Sequence, residues 1–198
     1  MSKIESELDE KDQVREVALK SSRAVVRMSG SLMRGVHTGQ RNPTALAELK
    51  DEVMSLGSLL RSNPDLTCAG YVETAFQEYA ELGIDTSILD NGDVPVPEDL
   101  GVSSTVYLLA LGDSVGELRR LSLDELKAGR VDHANSFLEK MEDIFTALMR
   151  FDYPDALVPV RRKQDIARSL LEKTRGDVAV ATSAQKLQDK LEEVLKKS

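Results

Sequence analysis

Residues 14–36 read VREVALKSSRAVVRMSGSLMRGV, and this stretch decides the fold class. Placed at roughly 100° per residue, Val14, Val17, Ala18, Val25, Met28, Leu32 and Val36 share one side of a helix. Lys20, Arg23, Arg27 and Arg34 fall within roughly 60° of one another on the opposite side. The spacing predicts a first helix over about residues 3 to 37, with one apolar stripe and one basic stripe. Gly35, Gly39 and Asn42-Pro43 end it, and Thr44 is placed to cap the next helix.

The same period continues along the chain. A second helix is expected from about Ala45 to Arg61, stopped by Asn63-Pro64, and a third from about Leu66 to Leu82, closed by Gly83 at its C-terminus. Ile84 to Gly101, with Asp90-Asn91-Gly92-Asp93 and Pro95-Val96-Pro97, reads as a loop. Further helices are expected from Ser104 to about Leu126, from Val131 to Met149 and from Val158 to Arg175. Gly176-Asp177 then precedes a last helix ending near Lys197. No period-2 pattern or internal repeat competes, so the expectation is an all-α chain of seven helices in one domain, 1–198.

Composition supports a globular chain and removes several chemistries. Apolar residues make up 41% and charged residues 30%, a balance that can fill a core without staples. One cysteine, Cys68, excludes an intrachain disulfide framework and a cysteine zinc site, and two histidines cannot build a His-rich centre. Cys68 and Met28, Met33, Met54, Met141 and Met149 read as packing residues. No window is apolar enough for a transmembrane span, and the polar start, MSKIESELDEKDQ, does not resemble a signal peptide. A cytoplasmic location is expected.

The net charge of −8 hides a segregation that matters more than the sum. From Gln13 to Arg41 there are six Lys or Arg against one acid, Glu16; from Tyr71 to Gly101 there are eight acids and no Lys or Arg. From Pro159 to Gly176 the balance is basic again. Basic segments beside an acidic one suit a polyanion held next to carboxylates, and they also suit plain solvated helix faces.

Within the acidic part, Glu78 and Glu81 stand at i and i+3, and Asp113 and Glu117 at i and i+4, so each pair projects from one helix face. Both pairs are set among apolar residues such as Phe76, Leu82, Leu108 and Val115. Like charges there need either a cation or basic side chains from neighbouring helices. Four carboxylates without histidine suit a hard cation such as magnesium or manganese. Gly112 and Gly116 interrupt the second acidic segment and point to close approach of another group.

At these residues the sequence resembles the translin superfamily, and within it the catalytic translin-associated factor X branch, in a prokaryotic-type form. Gln77-Glu78-Tyr79-Ala80-Glu81 resembles the Gln-Glu-Tyr-Val-Glu of that branch. Tyr107 to Leu118, YLLALGDSVGEL, resembles its Tyr-Leu-Leu-Gly-Val-Ala-Asp-Leu-Thr-Gly-Glu-Leu. Residues 128–132, 137–145 and 173–176 add to the likeness, as do Arg15-Glu16 and Ser21-Ser22-Arg23. The resemblance implies a seven-helix translin-like bundle, assembled into a hollow octamer that binds single-stranded RNA or DNA inside. It further implies a magnesium- or manganese-dependent endoribonuclease with Glu78, Glu81 and Asp113 as catalytic acids and Glu81, Asp113 and Glu117 at the metal. Arg15, Lys20, Arg23, Arg27, Arg34 and Arg120 are the expected nucleic-acid contacts. A short loop between the acid-bearing helices points to a homo-oligomer.

Two other functions stay open at this stage. One is a non-catalytic single-strand-binding assembly, which acids tied up in ion pairs would favour. The other is an all-α nucleotide pyrophosphohydrolase, although its second acid pair would be Glu-x-x-Asp and here it is Asp-x-x-x-Glu. Scarce aromatics argue against a base-stacking platform, so recognition should follow charge more than sequence.

Overall fold

The computed structural model describes residues 2–90 and 92–197, all of whose regular elements are helical. They are α1 (Ser2–His37), α2 (Pro43–Arg61), α3 (Gly70–Leu89), α4 (Pro97–Leu100), α5 (Ser104–Lys127), α6 (Val131–Leu148) and α7 (Arg161–Lys197), with a 3-10 turn at Pro64–Leu66. The number of helices is as expected, but their composition differs. The chain forms two compact units, residues 1–110 and 111–198, and the boundary falls within α5.

In the first unit, α1 packs on α2 and α3. Its buried line is Ala18, Ser22, Val25 and Ser29, small residues that let the neighbours approach closely. Val17, on the apolar side by periodicity, lies one step around the helix from that line and is exposed. Val25, Leu49, Val53, Ala75, Tyr79 and Leu82 form one apolar cluster, and Ala18, Leu56, Leu60 and Val72 form a second. Each fully buried Val or Leu contributes about 1.5–3 kcal/mol relative to an exposed one.

The helix ends explain where the expected boundaries shift. Asn42, not Thr44, caps α2: its side chain accepts from the Ala45 N–H at 3.0 Å while Pro43 takes the first helical position. Pro64–Leu66 form the 3-10 turn, so α3 starts at Gly70. Gly83 does not end α3. The helix continues to Leu89, and a Cβ at Gly83 would meet Leu100 Cδ2 at 2.8 Å, so this glycine admits the α4 segment. That short helix lies in the expected loop, where the Asp99 carboxylate accepts from the Val96 N–H and Gly101 closes the turn at φ 65°. Asn91 of that loop lies outside the described residues. Cys68, in the turn before α3, is exposed, as are Met54 and Met149, so these three are not core residues.

In the second unit, α6 packs on α7 through Ala134, Leu138, Met141, Ile144 and Leu148. Gly129, at φ 75°, makes the turn from α5 to α6. Gln164 is buried and donates to the carbonyls of Leu148 and Phe151 at 2.8 and 2.9 Å, satisfying the end of α6. The two helices expected on either side of Gly176 are one 37-residue helix, α7. Thr174 and Val178 are buried on both sides of that glycine, and Arg119 donates to Thr174 and Asp177, so packing outweighs its low helix propensity. Beyond residue 180 the apolar side chains Leu187, Leu191, Val194 and Leu195 are exposed.

Candidate functional site

On α1 the basic residues are displayed as their spacing requires. Arg15, Lys20, Arg23, Arg27 and Arg34 are all exposed. Arg15 is neutralised within its own helix by Asp12, at 2.9 Å, and by Glu16; the Asp12 hydrogen bond is the main cause that raises its pKa. Among the described residues, Lys20, Arg23, Arg27 and Arg34 have no ion-pair partner. Arg120, the sixth expected contact, is exposed on α5 of the second unit and lies 3.9 Å from Glu117.

The acids divide between the units. Glu78 and Glu81, both half-buried, lie one turn apart on α3 of the first unit. Asp85, one turn further along the same face, is completely buried. The i, i+3, i+7 spacing of 78, 81 and 85 was the available signal for this third acid. Tyr79, between the two glutamates, is buried, and desolvation raises its phenol pKa. Burial raises that of Tyr107 as well.

Asp113 and Glu117 lie on α5 in the second unit. Lys163 of α7 ion-pairs with Asp113, the two side chains being 23% and 29% exposed. This is the tied-up acid that a non-catalytic assembly would contain. The partners are 50 residues apart in sequence, so spacing carried no sign of the pair. Among the described residues no three His, Cys, Asp or Glu side chains are grouped to hold a metal ion. The carboxylate donors match a hard divalent cation in kind, but a cation at Asp113 has to displace the Lys163 ammonium.

Elsewhere in the second unit the polar contacts are structural. Arg130 donates to Glu125 at 2.5 and 2.8 Å and holds its carboxyl below the usual range, and His133 Nδ1 lies 3.3 Å from the same group.

An all-helical chain with a basic α1 and paired acids on α3 and α5 falls in the class of translin-like helical proteins. No protein-family model matches the sequence. The chain is 34% identical over 191 residues to the uncharacterised protein MJ0175 of Methanocaldococcus jannaschii, spanning 94% of this chain and 85% of that one. It is similar to the crystal structure of AfC3PO, with 29% identity and a TM-score of 0.77 over 92% of this chain and 97% of that one. For AfC3PO in its complex with duplex RNA the values are 27% and 0.74, over 92% and 96%. Apo-NeC3PO, at 21% identity and a TM-score of 0.80 over 91% and 96%, shares the fold. C3PO is a translin and translin-associated factor X assembly, and these likenesses make the chain a translin-superfamily relative of the translin-associated factor X type.

Among the described residues no helix is long and apolar enough to cross a membrane.

Proposed function

We propose that this protein is a nucleic-acid-binding translin-family homo-oligomer that acts as a magnesium- or manganese-dependent endoribonuclease on single-stranded RNA. The observation that carries the binding reading is the exposed line of Lys20, Arg23, Arg27 and Arg34, in a chain 27% identical to a protein solved with duplex RNA. Such a line gives backbone affinity that depends on salt and not on sequence. The unburied apolar residues Leu187, Leu191 and Leu195 of α7 support self-association, with the octamer as the assembly to test.

For the cutting step, Glu78, Glu81 and Asp113 are the proposed catalytic acids, and Glu81, Asp113 and Glu117 would hold the cation. When bound, that cation supplies a polarised water and neutralises charge at the scissile phosphate. The arginines position the strand, and Lys163 holds positive charge beside Asp113 when no metal is present.

A second reading, a binding assembly without turnover, is favoured by the Asp113–Lys163 ion pair. Purified protein incubated with end-labelled single-stranded RNA, with magnesium and with excess chelator, separates the two. Metal-dependent fragments support the nuclease; intact RNA that is retained on the protein supports the binder; no retention overturns both.

A further inference from the structure

Between α1 and the start of α3 lies a cavity of about 450 Å³ whose lining includes Ser22, Arg23, Arg27, Gly70, Tyr71 and Thr74. Ser22 is 1% exposed, and neither its hydroxyl nor the buried phenol oxygen of Tyr71 has a hydrogen-bond partner among the described residues. An unsatisfied buried hydroxyl is costly, and these two belong to residues that line one pocket, where a ligand atom would complete their bonding. Arg23 and Arg27, exposed and one turn apart in the same lining, have no ion-pair partner among the described residues. Gly70 opens the 20-residue α3, whose N-cap, Ala69, offers no side-chain hydrogen bond, so the positive end of the helix faces this lining. Glu73, in the same turn, is exposed and is not part of the lining.

We propose that this pocket seats a phosphomonoester, the terminal phosphate of a nucleic-acid strand. The inference rests on the nucleic-acid reading above and adds end recognition to it. A phosphomonoester carries about −1.5 to −2 charges and three acceptor oxygens, which match two guanidinium groups and two hydroxyl donors. An internal phosphodiester carries one charge and needs chain leaving on both sides.

The test uses the full chain, without divalent metal, and oligoribonucleotides of one sequence bearing a 5′-phosphate, a 3′-phosphate or hydroxyls at both ends. Fluorescence anisotropy should show one phosphate-ended strand binding about tenfold more tightly than the hydroxyl-ended strand. Tyr71→Phe and Ser22→Ala remove donors with little change in volume, and each should cut that preference while the hydroxyl-ended strand binds as before. Thermal melts check folding, and the half-exposed Tyr71 site serves if the Ser22 variant unfolds. A nucleoside monophosphate that competes in a Tyr71-dependent way, with no preference among strand ends, assigns the same site to a free nucleotide. Equal binding of all three strands with no such competition overturns the phosphate pocket and leaves the nucleic-acid reading standing. Absence of any binding overturns both.

Discussion

The Cβ atom that Gly112 lacks would stand 2.7 Å from the Cβ of Lys163, closer than side chains tolerate. Glycine at this position brings the Lys163 stem against α5, one residue before Asp113, and so sets up the ion pair. Gly112→Ala should therefore destabilise the protein by about 1–3 kcal/mol, because overpacking outweighs the gain in helix propensity. Urea unfolding checks this, and a stabilised variant would sink the close-approach argument.

Gly176 predicts the opposite sign. It lies inside α7 with no atom within 4 Å of its missing Cβ. Gly176→Ala should stabilise by roughly 0.5–1 kcal/mol, through helix propensity and a less flexible unfolded chain. An unchanged or lowered midpoint in the same titration would count against it.

These glycines also show what the sequence could and could not convey. The periodicity of apolar residues placed α1, α2, α5 and α6 to within a few residues, because each carries an apolar stripe that is buried along its length. Gly83 and Gly176 look like helix ends in the sequence, since propensity alone cannot show that Leu100 needs room at the first or that Thr174 and Val178 are buried around the second. The acidic pairs and the basic line were legible as spacing. Lys163 beside Asp113, and Ser22 with Tyr71, depend on which helices meet, and no spacing encodes that.

Glu125 makes stability depend on acid. Its folded pKa lies below the ordinary 4.5, chiefly through the hydrogen bond from Arg130. As pH falls, the unfolded chain takes up this proton first, so the contribution is full above about 4.5 and is lost as pH drops through the folded value. Wild type should melt above Glu125→Gln at neutral pH, with the gap closing in acid. A gap that stays constant from neutral pH to well below the carboxylate range would rule this out.

Arg23 and Arg27 carry their charge to solvent without an acid partner among the described residues. Replacing both with Ala should weaken binding of all single-stranded sequences about equally and lower the salt slope by roughly 1–2. Anisotropy titrations at several salt concentrations measure both quantities. A loss confined to one sequence would place the binding face elsewhere.

The chemistry is tested at Glu81, Asp113 and Lys163. Glu81→Gln and Asp113→Asn remove charge and keep volume, so the helices should stay packed. If these acids serve the cutting step, RNA cleavage in magnesium should fall by roughly 100-fold or more in each variant. RNA binding should persist or tighten, because each variant has one negative group fewer to repel phosphate. Lys163→Met removes the ammonium that now pairs with Asp113, so half-maximal cleavage should need less magnesium than in the parent. The nuclease proposal fails if both amide variants cut at the parental rate, or if cleavage survives excess chelator. If no variant and no parent cuts while all bind RNA, the Asp113–Lys163 pair is structural and the binding assembly is the function.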